Sequence, residues 1–321
     1  MTPSRSRNPL TIASPVGPER SIPSHAAELS KTVGWKLGII TDEIAESFDR
    51  SLGFIGQYGL EWCELRQVWG KNVMNLSSAE LRRAKELIQR FNLKVSQIGS
   101  PVFKYNLPQM PARAGEKRDT FRANFTDQDS DRLLHESFRL AHFFGTNKVR
   151  VFSYWRVDEP QEAYPYVLDR LAQAAEMAGR NGVLLTLENE HECNIATGKE
   201  LGRLLRDVSS PHLRGTWDPA NAAMQGETPY PDGYLRARGL IEHLHVKDLR
   251  KNLRTYKLEW APVGKGFIDW EGQFEALRRH GYNCTVSLET HYRKRGATNI
   301  ESTRISLEGL LKILYKTGPA I

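Results

Sequence analysis

Short apolar runs that stop on an acid recur along this chain, and the strongest of them is Leu184-Leu185-Thr186-Leu187-Glu188-Asn189-Glu190. A leucine and β-branched run without polar alternation predicts a strand covered on both faces, as in a parallel sheet flanked by helices. The acid at its end has two readings. It is a cap or turn residue, or it projects into a site at the carboxyl edge of the sheet. Recurrence of the pattern is what favours the site.

The other predicted strands are Lys36–Thr41, Trp62–Leu65, Leu93–Ile98, Lys148–Phe152, Leu213–Trp217, Ile241–Val246 and Thr285–Leu288. Residues at helical spacing separate them: Phe48, Leu52 and Ile55, then Leu81, Ala84, Leu87, Ile88 and Phe91, then Leu134, Phe138, Ala141 and Phe144, then Val167, Leu171, Ala174 and Ala178. Ser77-Ser78-Ala79-Glu80 is a capping box, and Gly59 and Gly145 close two of the helices. Further helices are predicted over Gly198–Val208, Trp270–Arg279 and from about Thr303 to Tyr315. Eight strands alternating with helices, with no linker between them, predict an α/β fold of the (β/α)8 TIM barrel type, one domain over residues 34–321. A doubly wound open sheet is the alternative. Its usual glycine-rich turn after the first strand is replaced here by Thr41-Asp42-Glu43-Ile44.

Two stretches stand outside the pattern. Residues 1–33 hold five prolines and six serines without periodicity and are expected to form a poorly ordered arm. The polar, proline-bearing segment from about Gly99 to Asp129 is too long for an ordinary connection, and a lid or active-site loop is expected there.

Composition narrows the class. Apolar residues make up 40% and charged residues 26%, ordinary for a soluble globular protein, and no apolar run reaches the length of a membrane span or a secretory core. A cytoplasmic location without membrane association is the expectation. Cys63, Cys193 and Cys284 are few and widely spaced, so no disulfide framework is expected. The formal charge of +7 suits an anionic substrate or a nucleic acid, but part of it sits in the first twenty residues and in Arg250–Lys257. No dense basic run interleaved with aromatics is present, so nucleic acid is not an expected partner.

Strands five to eight end on Glu188, Asp218, His245 and Glu289. In a barrel these ends meet on one rim, where three carboxylates and an imidazole repel unless a cation lies between them. One divalent metal ion answers that requirement. The oxygen-rich donor set favours Mn²⁺, with Mg²⁺, Co²⁺ or Zn²⁺ as alternatives.

The chain resembles the sugar phosphate isomerase/epimerase family of xylose isomerase-like barrels, to which inosose dehydratases, ketose 3-epimerases and, distantly, endonuclease IV enzymes are related. The resemblance covers about residues 35–315. It rests on Leu187-Glu188-Asn189, Trp217-Asp218-Pro219-Ala220-Asn221, His243-Leu244-His245-Val246-Lys247-Asp248, the segment from Pro262 to Trp270, and Ser287-Leu288-Glu289. It implies that Glu188, Asp218, His245 and Glu289 are metal ligands, with Glu188 and Glu289 as acid and base on opposite faces of the substrate carbon. The implied enzyme is a metal-dependent sugar isomerase or epimerase working through a metal-stabilised enediolate. The substrate is a sugar, a sugar phosphate or a polyol-derived keto compound. A lyase of the inosose dehydratase type shares the same first step. Many relatives have His where Asn221 stands, and Asn is a poor metal ligand. An endonuclease-like hydrolase needs more strand-end histidines than the chain has, and a non-catalytic binding barrel needs no metal.

Secondary candidates for substrate contact surround these ends. Glu64 and Arg66 flank strand two, Lys104 follows strand three, Arg156 follows strand four, and Lys247 lies two residues beyond His245. Asn221, His191 and His291 complete the set, and Trp69, Trp155 and Trp217 are candidates for an apolar wall against a sugar ring. Glu190 is expected to support the site or to be solvated. Gly264 and Gly266 predict a tight turn, not a phosphate loop. Fold analogy adds a homo-dimer or tetramer.

Overall fold

The computed structural model describes residue 29 and residues 32–318, apart from 109, 116 and 117. The expected N-terminal arm therefore lies outside the described residues, except for Leu29, Thr32 and Val33; Leu29 and Val33 are buried in the core.

Eight parallel strands close into a barrel: β1 (Lys36–Ile40), β2 (Trp62–Leu65), β3 (Lys94–Ile98), β4 (Lys148–Val151), β5 (Leu184–Glu188), β6 (Leu213–Trp217), β7 (Ile241–Val246) and β8 (Thr285–Leu288). The order around the barrel follows the sequence, and β8 closes on β1 with Gly38 opposite Ser287. Closure rules out the open doubly wound sheet. Helices α1 (Phe48–Gln57), α2 (Ser78–Arg90), α3 (Ser130–Phe144), α4 (Pro160–Arg180), α5 (Gly198–Val208), α6 (Pro219–Met224), α7 (Trp270–Arg279) and α8 (Asn299–Thr317) connect the strands. No helix among the described residues is long and apolar enough to cross a membrane.

Local chemistry fixes the helix ends. Ser77 and Glu80 form the expected capping box of α2, whose Leu81, Ala84, Leu87 and Ile88 are buried. Gly145 ends α3 at φ 76°, a left-handed position that a glycine adopts without Cβ strain. The last helix begins at Asn299 rather than near Thr303, because Thr298 and Glu301 form another capping box. Its polar first turn carries no apolar periodicity to announce it. Three strand ends are also shorter than expected: Thr41 opens a one-turn helix, Phe152 lies beyond β4, and Leu93 precedes β3.

Two excursions rise from the carboxyl rim. Among the described residues of 99–126 there is no regular element beyond an isolated bridge between Leu107 and Met110, yet Phe103, Lys104, Tyr105 and Phe121 are buried. After β7 the chain forms an unanticipated antiparallel hairpin, Asp248–Lys251 against Leu258–Ala261.

Candidate active site

The strand ends meet as one centre. Donor atoms of Glu188, Asp218, His245 and Glu289 lie within 4.8 Å of one another, and all four residues are buried. Register explains the meeting: Ser287 stands opposite His245, and the Glu289 N–H donates to the Val246 carbonyl at 3.0 Å, which sets Glu289 beside the end of β7. Asp218 fulfils both readings of a strand-end acid. Its Oδ1 caps α6 by accepting from the Asn221 N–H at 2.9 Å, while Oδ2 makes no hydrogen bond and lies 2.9 Å from Lys247 Nζ.

One layer deeper the barrel interior is polar rather than aliphatic. Thr186 donates to Gln97, Gln97 donates to Glu64 at 3.0 Å, and Glu64 Oε2 faces His243 Nε2 at 3.1 Å and His245 Nε2 at 3.2 Å. The other ring nitrogen of His245, Nδ1, lies 3.1 Å from Glu188 Oε1 and 3.5 Å from Glu289 Oε2. A carboxylate that accepts a hydrogen bond from Nε2–H leaves the Nδ1 lone pair of the neutral ring directed at the carboxylate cluster, as in a metal-ligating histidine.

The charges respond to this crowding. Burial pushes the Asp218 carboxyl up to about 6, against the pull of Lys247 and reinforced by Glu289 and Glu188. Burial opposes charge on Glu289 as well, but Lys247, His291 and His245 hold it well below the usual carboxylate range. Burial likewise disfavours charge on His245, yet Glu64 and Glu188 hold its imidazole well above the ordinary value. These residues fit a divalent cation. Glu188 Oε2 and Asp218 Oδ2 are buried carboxylate oxygens without hydrogen bonds, and three carboxylates with one oriented imidazole are a suitable donor set.

Of the secondary candidates, five touch the four-residue centre through side chains. Lys247 Nζ bridges Asp218 and Glu289 at 2.9 and 2.8 Å. Arg66 reaches Glu289 Oε1 at 2.8 Å and spends its remaining nitrogens on Asp42 and Glu43. His291 Nε2 lies 3.2 Å from Glu289 and its ring packs on Trp260. Asn221 Nδ2 lies 3.4 Å from Glu188, and Glu64 supports His245 from below. His191 is one step removed, bonded to Asn221 Oδ1 at 3.0 Å and paired with Glu190.

Lys104 is farther removed, at 3.2 Å from Glu190 Oε2, which in turn pairs with His191. Glu190 is thus buried and paired on two sides rather than solvated. Arg156 turns away from the centre, donating to the carbonyls of Cys193 and Asn194 and to Glu200. Trp217 is core, fully buried and bonded to Gln273, so it offers no wall to a ligand. Trp69 packs edge-on against Phe48 under Arg83, while Trp155 lies 5.5 Å from Lys104 Nζ. The aromatic at the centre is Trp260, from the unanticipated hairpin, 5.4 Å from Lys247 Nζ.

Sequence reasoning missed Arg150 on β4, fully buried and 3.2 Å from Glu188 Oε2. Its only signal is alternation, which in Lys148-Val149-Arg150-Val151 puts the arginine on the face opposite the valines. The turn at Gly264 and Gly266 wraps an acid. Both glycine N–H groups, with those of Leu249 and Ile268, donate to the Asp248 carboxylate. A side chain at Gly266 would collide with that carboxylate and the Leu249 carbonyl.

Comparison with known structures places this architecture. The chain is similar to IolI with a bound zinc atom, at 16% identity and a TM-score of 0.69 over 89% of this chain and all of that one. It is similar to D-psicose 3-epimerase in the presence of D-fructose, at 16% identity and a TM-score of 0.65 over 88% of this chain and all of that one. It is also similar to a probable 3-DHS dehydratase of petrobactin synthesis from Bacillus anthracis, at 18% identity and a TM-score of 0.64 over 85% of this chain and 98% of that one. The family model that describes the xylose isomerase-like TIM barrel matches residues 53–313, most of the barrel, and the chain belongs to that family.

Proposed function

We propose that this protein is a divalent-metal-dependent isomerase or epimerase that moves a proton at a carbon next to the carbonyl of a sugar or sugar-derived keto compound. The observation that carries this reading is the buried cluster of Glu188, Asp218, His245 and Glu289. These four residues would hold the ion, which when bound supplies a Lewis acid that acidifies the hydrogen on the carbon beside the carbonyl.

The protein's own groups do the rest. Glu188 and Glu289 arrive from different strands and are the acid and base, one removing the proton and the other returning it. Glu188 Oε2 makes no hydrogen bond and lies 3.2 Å from Arg150 Nη1. Glu289 is flanked by Lys247 at 2.8 Å and His291 at 3.2 Å, and the Lys247 ammonium, held charged against burial by Asp218 and Glu289, keeps the Glu289 carboxylate ionised. Asn221 and Lys247 present donors to substrate oxygens, and Trp260 closes one side of the mouth. Return to the opposite face gives epimerisation, and return to the neighbouring carbon gives isomerisation. Loss of a β-hydroxyl after the same abstraction gives dehydration, and the similarity to a 3-DHS dehydratase supports that as the second reading.

The test is deuterium uptake from solvent into a panel of ketoses and inososes, followed by NMR. The proposal expects exchange that needs a divalent ion and falls by about 10²-fold or more in Glu188→Gln and in Glu289→Gln. Exchange that persists in both variants, or that is absent from the whole panel, counts against it.

A further inference from the structure

Arg150 is the charge that the four-residue centre does not explain. It stands on β4 with none of its surface exposed, and its Nε, Nη1 and Nη2 make no hydrogen bond. Its ionic neighbours are Glu188 Oε2 at 3.2 Å and Glu64 Oε1 at 3.8 Å, both from Nη1. Around the guanidinium lie the rings of Phe121 and Phe152, at 5.1 and 4.7 Å. Gly99 presents bare backbone on the Nη2 side, where a Cβ would stand 3.4 Å away.

Arg66 provides the contrast. It is nearly as buried, but its Nε, Nη1 and Nη2 are all bonded, to Asp42, Glu43 and Glu289. Buried guanidinium donors are normally satisfied, and an unused set beside a reactive carboxylate is the arrangement a planar anion would complete. Phe121 lies over Arg66, Lys104 and Arg150 together, at 4.8, 4.0 and 5.1 Å. The ring therefore packs across three buried cations, of which Arg150 borders Glu188.

We propose that Arg150 binds the carboxylate of an acidic substrate next to Glu188, so that the reaction proposed above acts on sugar-derived keto acids rather than on neutral sugars. The inference rests on that reading for the chemistry, but not for the binding. Charge selects carboxylate over phosphate. Glu188 and Glu64 already face this guanidinium, so a carboxylate monoanion adds less repulsion there than a phosphate dianion. The fork of the guanidinium matches the two carboxylate oxygens, which an ammonium cannot do. Phe121 must swing aside to admit the ligand. It and Arg122 both sit at left-handed φ, 52° and 55°, a conformation that ordinary side chains disfavour.

The test is calorimetric binding to the metal-loaded full chain, with two keto-uronates, D-fructuronate and D-tagaturonate, against their neutral counterparts D-fructose and D-tagatose. D-fructose 6-phosphate serves as the phosphate control. The expected result is that at least one acid binds about tenfold or more tightly than its neutral counterpart and more tightly than the phosphate. In Arg150→Met that preference falls to near unity, and in Arg150→Lys it is reduced but not abolished.

No acid preference in the wild type overturns the proposal. So does a preference that survives in Arg150→Met, because Arg150 would then only position Glu188. If Arg150→Met fails to fold, Arg150→Lys decides alone, and an unchanged acid preference there overturns the assignment. Acid binding that depends on Arg150 without deuterium exchange in any ligand would sink the proton-transfer reading and leave the carboxylate site standing.

Discussion

Glu64 Oε2 lies 3.2 Å from His245 Nε2, and this contact in the barrel interior turns the opposite nitrogen of His245 toward Glu188 and Glu289. Glu64 is fully buried, and burial raises its pKa less than His245 and His243 lower it, so it stays well below the ordinary carboxylate value. An ionised acceptor under the histidine fixes which nitrogen carries the proton.

Glu64→Gln removes that ionised acceptor and lets the ring choose either tautomer. The expected outcome is a loss of about 10–100-fold in affinity for Mn²⁺ with the four direct ligands intact. Calorimetric titration of the variant against the wild type checks it, and equal affinities would remove Glu64 from the account.

Metal binding requires Asp218 ionised and His245 neutral. Asp218 is pushed up to about 6 by burial, against Lys247, and His245 is held well above its usual value by Glu64 and Glu188 in spite of burial. Below about pH 6 both protons must leave on binding, and above it only the one on His245. Affinity is therefore expected to rise with pH, by up to about two decades per pH unit below 6 and about one above. Titrations between about pH 5 and 8 measure the slope. A flat profile would contradict the charge states described.

The Asp248 carboxylate gathers four backbone N–H groups, that of the adjacent Leu249 and three from the turn after the rim hairpin, at Gly264, Gly266 and Ile268. Asp248→Ala leaves those donors unbonded and is expected to cost about 2–4 kcal/mol, a fall of roughly 3–6 °C in melting temperature. Gly266→Ala should also destabilise, because the added methyl meets Asp248 and the Leu249 carbonyl. Thermal melts of the two variants test this, and an unchanged midpoint in Asp248→Ala would show that the turn holds without its anchor.

The strand ends were legible because a buried parallel strand is a continuous apolar run, and the first acid after it marks the rim. That logic brings Glu188, Asp218 and Glu289 together, and the same periodicity yields the order of the barrel. Arg150 was not legible because it lies within a strand, where alternation shows a polar face without showing that the face lines a closed interior. Arg156 illustrates the converse. A residue past a strand end can turn inward or outward, and the carbonyls of Cys193 and Asn194 turn it outward. The hairpin after β7 escaped notice because its second strand is held by Asp248 and the turn that wraps it, a tertiary contact that no local pattern encodes. Trp260, which that hairpin brings to the mouth, escaped with it.

The measurement that bears most directly on the central claim is metal stoichiometry of the purified chain by elemental analysis and Mn²⁺ titration, repeated in Asp218→Asn and His245→Ala. The four-ligand centre predicts one divalent ion per chain in the wild type and loss of tight binding in both variants, with folding retained by thermal melt. A wild-type chain that binds no divalent ion, or variants that bind it as tightly, would contradict the assignment of Glu188, Asp218, His245 and Glu289 as a metal centre.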